Sequence, residues 1–396
     1  MAGLEQPDTA IADWIIERLP ACGIDRASQL AVTGLLHGLT EERRDRMARR
    51  LLEALTGHDD LHLLAFLRVL PFGPKTWGLA DELNGAIARR YWETIPSVWC
   101  RDVGEATTAA ERLLAVGRSC AAFQALEFFL EAVPIPLLLQ VLTAVLHTSE
   151  PPETIRQHEA YHIGEALTRL AAAPSVDDDA VITLEFNFWP LLRHHGDGSQ
   201  RIHQRMARDS AFFIDLLRWV HKADHGTGEG VPDKRDARKH AFDILFDWRH
   251  VPGTQADGNM DEQAFAEWVK QALSMAAEQG LERAAQSRIG EVLAHAPADA
   301  DGLWPCSAIR DVLDHPDHDV MREGLRCGLF NKRGVTSRSL DEGGMQERGL
   351  AAQYRGWADG LATSHWLLAE VLNDLANGYD RQAKSEDITA AKNCEE

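Results

Sequence analysis

Ser210–His221, with the sequence SAFFIDLLRWVH, shows the clearest helical pattern in the chain. Its apolar residues recur at the spacing that places side chains on one face of an α-helix: Phe212, Phe213, Leu216, Leu217 and Val220. Glu262–Ala277 carries a second stripe of the same kind. By contrast, no run of β-branched and aromatic residues alternates between hairpin turns. These patterns predict an all-α fold.

Further segments with helical patterns are separated by short turns rich in proline, glycine and aspartate. Those outside the two stripes include Thr9–Leu19, His58–Leu70, Trp77–Tyr91, Thr108–Val116, Cys120–Val133, Leu137–Leu146, Ile155–Ala172, Val181–Leu192, Ala237–Trp248, Leu281–Ala294, Val320–Arg326 and Met345–Trp357. Helix pairs recur about every 35–50 residues without the signature of tetratricopeptide or ankyrin repeats. We therefore predict an irregular HEAT-like α-solenoid of stacked helical hairpins.

Two polar stretches interrupt this series of helices. Thr148–Thr154 contains two prolines, and His221–Arg235 is rich in glycine and charge, which is typical of loops. They predict three parts: an N-terminal helical repeat segment (1–150), a central helical segment (151–228) and a C-terminal helical segment (229–396). The last part contains a Gly/Arg-rich stretch, 330–348, that we predict as a loop.

The composition limits the class of protein. Of 396 residues 45% are hydrophobic, which suffices for a sizeable core, and the length exceeds the usual size of a single core. The net charge of −20 argues against a protein that binds nucleic acid with its whole surface, because phosphate binding needs a basic face. Six cysteines without a CxxC pair fit a reducing cytoplasm better than a disulfide framework or zinc ribbon.

The sequence predicts neither a targeting segment nor a membrane span. The first ten residues, MAGLEQPDTA, lack the basic and apolar regions of a signal peptide. The most apolar run, Ala132–Leu146, contains two prolines and a glutamine and is too short to span a bilayer. We therefore expect a soluble, cytoplasmic protein that does not bind a membrane.

His158-Glu159-Ala160-Tyr161-His162 matches the HExxH pattern of zinc proteases. On a helix the two histidines would ligate one metal ion, and the glutamate would act as base toward its bound water. The apolar face of this helix, however, runs through Ala160, Ile163, Leu167 and Leu170, so His158 and His162 fall on the opposite, polar side with Glu165 and Arg169. Glu185 is a candidate third ligand but belongs to a helix that looks buried. We favour a solvated face over a metal site.

This interpretation predicts that His158→Ala combined with His162→Ala changes thermal stability little. Surface substitutions usually cost within about 0.5 kcal/mol. A melting curve of the double variant measures the change. Stoichiometric zinc in the purified protein would instead favour a hydrolase.

The remaining polar clusters have ordinary explanations. Asp314–Asp319 contains two histidines and three aspartates, but Pro316 makes it a turn in which aspartates cap the next helix. His194-His195 precedes a Gly-Asp-Gly loop. The sequence has no Walker GxxxxGK[ST] motif, no GxSxG elbow and no cysteine in a recognised nucleophile context. We therefore predict no cofactor and regard an enzyme as the minority interpretation.

Phe330–Trp357 is the stretch in which glycines, arginines and carboxylates lie closest together. We predict a loop around Gly334, followed by a helix that begins after Gly343-Gly344, where backbone N–H groups could approach an anion. The candidate ligand- or partner-binding residues are Lys332, Arg333, Arg338, Gly343, Gly344 and Arg348. In the alternative, the arginines Arg333, Arg338 and Arg348 pair with Asp341, Glu342 and Glu347. The nearly balanced charges favour this pairing, which predicts that Arg333→Ala plus Arg338→Ala lowers the melting temperature by a few degrees.

Parts of the sequence resemble a known group of proteins. These parts are Asp301–Pro305 (DGLWP), the segment 331–358 (NKRGVTSRSLDEGGMQERGLAAQYRGWA), Leu184–Phe186, Trp189–Leu192 and Ser210–Val220. They resemble the C-terminal α-helical region of large multidomain bacterial proteins that are associated with antiphage defence. In those proteins the region is appended to NTPase or effector domains. The resemblance implies a scaffold or sensor portion and brings no catalytic residues with it.

The sequence therefore supports one leading hypothesis and two alternatives. The leading hypothesis is a non-enzymatic α-helical scaffold or sensor module that binds a protein partner, in a bacterial defence system. The first alternative is a zinc-dependent hydrolase that uses the segment 158–162. The second is a nucleotide or nucleic-acid sensor that acts through the basic segment 332–338.

Overall fold

The computed structural model describes residues 8–22, 25–55, 57, 59–96, 98–148, 157–193, 200–221, 233–339 and 342–395. In these residues the chain forms 20 α-helices and no strand, and 76% of the protein is helical. The all-α prediction is confirmed. The stacking of the helices as a solenoid remains a prediction. No helix in the described ranges has the length and apolar character needed to cross a membrane.

The first ten helices are α1 (Asp8–Cys22), α2 (Arg26–Gly38), α3 (Glu41–Leu55), α4 (Asp60–Val69), α5 (Pro74–Glu82), α6 (Gly85–Thr94), α7 (Val103–Ala115), α8 (Ser119–Leu126), α9 (Ile135–Leu146) and α10 (Gln157–Ala172). The remaining helices are α11 (Asp178–Leu192), α12 (Arg201–Arg208), α13 (Ser210–His221), α14 (Asp233–Asp247), α15 (Glu262–Glu278), α16 (Glu282–Leu293), α17 (Ser307–Leu313), α18 (Asp319–Arg333), α19 (Met345–Leu361) and α20 (Trp366–Glu395). A 3-10 turn, Pro316–His318, precedes α18.

The chain divides into two compact units. One unit comprises Met1–Leu184 and Leu191–Ser199, and the other comprises Glu185–Pro190 and Gln200–Glu396. The segments 149–154 and 222–232, where the sequence predicts boundaries, lie outside the described residues. The division into three parts therefore remains a prediction.

Two predicted helices of the first unit end earlier than the sequence patterns indicate. The segment 77–91 is interrupted, because α5 ends at Glu82 and Asn84 caps α6 by accepting a hydrogen bond from the Ile87 N–H at 2.9 Å. The predicted helix 120–133 stops at Leu126. Residues 127–133 form turns that connect α8 to α9, and Pro134 disfavours helical backbone at the last of them, Val133.

The second unit buries the helix from which the fold prediction starts. α13 has the predicted boundaries, and its buried face contacts α14 and α15. Phe213 is fully buried, and its ring lies 5.3 Å from that of Trp248 and 5.4 Å from that of Trp268, measured between centroids. Ile214, which lies outside the predicted stripe, is also buried. An aromatic cluster thus forms part of the core of this unit.

Glycines allow α16 and α18 to approach each other closely. A Cβ atom added at Gly290 would overlap the backbone of Met321, and one added at Gly324 would overlap the carbonyl group of Ser287. Gly328 faces the backbone of Glu291 in the same way. Backbone therefore packs directly against backbone along this helix pair, which leaves no room for side chains.

Candidate functional site

The loop in the Gly/Arg-rich stretch is shorter than the sequence predicts. Helix α18 continues through Lys332 and Arg333, and α19 begins at Met345, so the connection is 334–344 rather than 330–348. Gly334 ends α18 with a positive φ of 63°, a conformation that glycine adopts most readily. Basic residues in the last turn also suit the negative end of the helix dipole. Lys332 and Arg333 are therefore helical residues, and the prediction of a basic loop over 332–338 was wrong for them.

The guanidinium groups of Arg333 and Arg338 both bind the carboxylate of Glu347, which is completely buried. Arg338 donates to Glu347 Oε1 at 2.8 Å and pairs with Glu386 at 3.0 Å. Arg333 also donates to Gln382 Oε1 at 3.0 Å. We call Arg333, Arg338 and Glu347 the α19 ion cluster. It forms part of the internal pairing that the sequence offers as the alternative.

The environment of Glu347 shows which charges dominate this cluster. Burial alone raises the pKa of the Glu347 carboxyl, but hydrogen bonds from Arg333 and Arg338 outweigh it and hold the pKa below its ordinary value. The carboxyl is therefore ionised at neutral pH and held between two guanidinium groups. Such a carboxylate depends on both arginines, because a buried charge without a partner is strongly unfavourable.

Gly343 and Gly344 also serve an internal contact. The Gly344 N–H donates to Asp387 Oδ1 at 2.8 Å, and Arg348 donates to Asp387 Oδ2 at 2.7 Å. A Cβ atom on Gly344 would overlap the backbone of Ala383 in α20. The start of α19 thus receives an anion, as the glycine pair predicts, but this anion is a carboxylate of the same chain.

Each of the six predicted residues has a described contact within the second unit. For Lys332 it is a hydrogen bond from Nζ to the Ala294 carbonyl at 3.0 Å, at the end of α16. A ligand-binding role for these residues remains a prediction. Sequence reasoning missed their partners Gln382, Glu386 and Asp387, because α20 was not among the predicted helices. The signal that could have found α20 is the long stretch 366–395, which contains neither proline nor more than one glycine.

The apolar face predicted for α10 is confirmed. Its residues Ala160, Ile163, Leu167 and Leu170 are buried. The side chains of His158 and Glu159 lie outside the described residues. Glu185 is fully buried and accepts a hydrogen bond from the Ile202 N–H at 2.8 Å. Among the described residues, no three His, Cys, Asp or Glu side chains are grouped to hold a metal ion.

The opposite face of α10 is not simply a solvated surface, and that part of the prediction was wrong. His162 is only 18% exposed, and its Nδ1 lies 3.1 Å from Glu165 Oε2. Its ring packs edge-on against Phe128, with 5.6 Å between centroids. The reason is that residues 127–132 turn back toward α10 and form a wall beside it. Because of these contacts, His162→Ala should cost about 1 kcal/mol, more than the sequence predicts.

A groove of about 880 Å³ lies between this wall and α10. The small residues Ala160, Gly164 and Ala172 contribute to its lining from α10. Thr168 and Arg169 line it farther along the helix, and Arg169 is held in place by its hydrogen bond to the Leu130 carbonyl. The groove has the size of a typical ligand or peptide site and lies entirely within the first unit.

Large exposed aromatic side chains line the groove or lie beside it: Phe128 and Tyr161 line it, and Trp99 contacts Phe128. Trp99 is 72% exposed, Phe128 65% and Tyr161 56%. With His162 they form a continuous series: the ring centroids are 6.4 Å apart for Trp99–Phe128, 5.6 Å for Phe128–His162 and 5.4 Å for Tyr161–His162. We call these four residues the aromatic row. Isolated exposed apolar residues are common, but a contiguous group marks an interaction site more often than not.

The charges at the groove are mainly negative. Glu127, Glu131 and Glu165 line it, whereas Arg169 is the one Lys or Arg side chain among its described lining residues. Glu131 and Glu165 are exposed, and Glu127 is buried. The groove therefore combines exposed aromatic rings with a surplus of carboxylates.

Sequence reasoning did not find the aromatic row. Trp99 precedes α7, Phe128 follows α8, and Tyr161 and His162 belong to α10, so only the folded chain brings them together. The sequence predicts a helix over 120–133 that includes Phe128, and an apolar residue in such a helix is expected to lie in the core. The early end of α8 is what leaves Phe128 at the surface.

A second large cavity, of about 890 Å³, lies in the second unit. Arg208 and Arg249 line it together with the carboxylates of Asp261 and Glu267, so its formal charges cancel. Burial, with the nearby positive charges of Arg249 and Lys332, lowers the pKa of His295 in this cavity to about 4, which makes that imidazole neutral at neutral pH. This cavity selects no particular ligand charge, and we regard the aromatic groove as the better candidate site.

Comparison of the chain with protein-family models, with curated proteins and with solved structures gave no match.

Proposed function

We propose that this protein is an α-helical scaffold or sensor module that binds a protein partner through the aromatic row at the groove of its first unit. The observation that carries the proposal is the exposure of Trp99, Phe128 and Tyr161 side by side. Tryptophan and tyrosine are enriched among residues that contribute most to binding energy in protein interfaces. A role in bacterial antiphage defence rests on the resemblance of the sequence and is part of the same proposal.

The groove is better suited to binding a segment of a partner protein than to catalysing a reaction. Its walls supply exposed aromatic rings together with charged side chains, and aromatic residues are enriched in protein interfaces, whose rims are polar. Full burial of an aromatic side chain removes about 150–250 Å² of surface from water. Trp99 and Phe128 still expose 72% and 65% of their surface, which a partner could cover. The zinc-dependent hydrolase and the nucleotide sensor stay predictions of the sequence, and no contact among the described residues favours them.

The test compares two variants in affinity purification from the native host. Trp99→Ala combined with Phe128→Ala should remove a specific protein that the unchanged chain retains. With that protein purified, Kd should rise at least about 100-fold, because interface hot spots contribute about 2 kcal/mol or more each. Both side chains are largely exposed, so the melting temperature should fall by only a few degrees, through loss of the ring contact between Phe128 and His162.

Trp366→Ala is the matched control. Trp366 is 62% exposed, close to the 65% of Phe128 and the 72% of Trp99, but it lies in α20 in the second unit. This variant should retain the same protein with unchanged affinity. If the aromatic-row variant and the control retain the same proteins equally well, the groove is not the binding site and the proposal is wrong.

A further inference from the structure

The carboxylates at the aromatic row indicate what kind of segment binds there. Glu131 lies three residues after Phe128 in the wall of the groove. On α10, Glu165 lies four residues after Tyr161 and three after His162, a spacing that places all three on neighbouring turns of one side of the helix. Each side of the groove therefore has an exposed carboxylate three or four residues from an exposed aromatic ring.

The positive charge at the groove does not offset these groups. The guanidinium of Arg169 is held by the Leu130 carbonyl, and His162 lies against Glu165. With Glu127, the lining residues that the structure describes carry three carboxylates against one guanidinium. The whole chain carries a net charge of −20, so the surrounding field adds to the negative potential of the groove.

The chain itself shows which group fits such a surface. In α1 the guanidinium of Arg18 lies 4.3 Å from the centroid of the Trp14 ring and also pairs with Glu17 at 3.1 Å. The guanidinium of Arg112 likewise lies 5.5 Å from the centroid of the Trp92 ring and pairs with Asp81 at 2.8 Å. Cations bind the faces of tryptophan, tyrosine and phenylalanine, and arginine can stack on a ring while it donates to a carboxylate.

We infer that the segment bound at the aromatic row is a basic stretch of the partner protein, whose arginine and lysine side chains lie over the rings and pair with Glu131 and Glu165. This inference rests on the proposed function and names the chemistry of its partner. Arginine is favoured over lysine because its planar group stacks on the rings. An acidic or purely apolar segment would bring no positive charge to Glu131 and Glu165.

Selection from a phage-displayed library of random linear peptides tests this inference. The library is selected on the unchanged protein and cleared on Trp99→Ala/Phe128→Ala, so that the recovered peptides depend on the aromatic row. We expect arginine and lysine to be enriched over the starting library and aspartate and glutamate to be depleted.

The recovered peptides then serve as labelled probes for fluorescence anisotropy. Glu131→Gln combined with Glu165→Gln should weaken their binding about 10-fold, which corresponds to about 1.4 kcal/mol for the two exposed charge pairs together. Glu111→Gln, at an exposed position of α7 away from the groove, should leave binding unchanged. Raising the salt concentration should weaken binding to the unchanged protein more than binding to the Glu131→Gln/Glu165→Gln variant.

The two ideas fail in different ways. Row-dependent peptides without enriched arginine or lysine, or peptides that bind the Glu131→Gln/Glu165→Gln variant with unchanged affinity, would overturn the basic segment and leave the binding role of the groove standing. Recovery of no peptide that depends on the aromatic row would overturn both the proposed function and this inference.

Discussion

Replacing Arg333 and Arg338 together by alanine should lower the melting temperature by roughly 6–20 °C, more than the few degrees that the sequence predicts. Glu347 is completely buried and receives hydrogen bonds from both arginines, so the double variant leaves its charge without a partner. Breaking a buried ion pair in this way costs about 3–5 kcal/mol, and each kcal/mol shifts the melting temperature of a domain of this size by about 2–4 °C. Thermal unfolding followed by circular dichroism measures the shift.

Two further variants show whether the loss of stability comes from the unpaired buried charge or from a general loss of contacts. Adding Glu347→Met to the double variant removes the unpaired carboxylate and should restore part of the lost stability, since apolar replacements of buried ion clusters are often neutral or stabilising. Arg348→Ala is the matched control, because the pair of Arg348 with Asp387 is about half exposed and should contribute at most about 1 kcal/mol. A triple variant that melts no higher than the double variant would show that the charge of Glu347 is not the cause.

The pH dependence of stability independently measures how much the ionised Glu347 of the α19 ion cluster stabilises the fold. The pKa of Glu347 in the folded protein is below its ordinary value of 4.5. A carboxyl with a lowered pKa stabilises the fold above its unfolded-state pKa, and that stabilisation is lost as the pH falls through the folded-state value. Without the two arginines, burial raises the pKa of this carboxyl in the Arg333→Ala/Arg338→Ala variant. The difference in melting temperature between the unchanged protein and the variant should therefore begin to narrow above pH 4.5 and continue to narrow as the pH falls further.

Helical periodicity predicted which faces of the chain are buried, but not which helices those faces meet. The apolar face of α10 and most of the stripe on α13 are buried as expected. The local charge balance also indicated Glu347 as a partner of Arg333 and Arg338. In contrast, Asp387 of α20 binds the start of α19, although it lies about 40 residues farther along the chain than Gly344. A pattern within one helix cannot predict a contact between two helices.

The aromatic row shows a second limit of sequence reasoning. A short apolar run such as 120–133 has the same appearance in a buried helix and in a turn that displays one of its rings. Whether Phe128 faces the core or the solvent depends on where α8 ends, and element boundaries are the least certain part of a sequence-based prediction. The exposure of Phe128, and with it the candidate site, therefore follows from the tertiary structure.

Gly324→Ala should lower the stability of the second unit, although alanine is the better helix former. A methyl group at Gly324 would overlap the Ser287 carbonyl group, so α16 and α18 must move apart. Overpacking of this kind costs typically about 1–3 kcal/mol, and more where backbone cannot move. The gain in helix propensity of about 0.5–1 kcal/mol offsets only part of that cost. We expect a melting temperature lowered by several degrees, measured by calorimetry.

Gly349→Ala is the control that makes the sign of this effect informative. Gly349 lies inside α19, and a Cβ atom there would have no neighbour within 4 Å. The same substitution should therefore stabilise the protein by about 0.5–1 kcal/mol, because alanine restricts the unfolded chain and favours the helix. Opposite signs at the two positions require direct backbone contact at Gly324. If both variants melt at a higher temperature than the unchanged protein, α16 and α18 are not packed through direct backbone contact at Gly324.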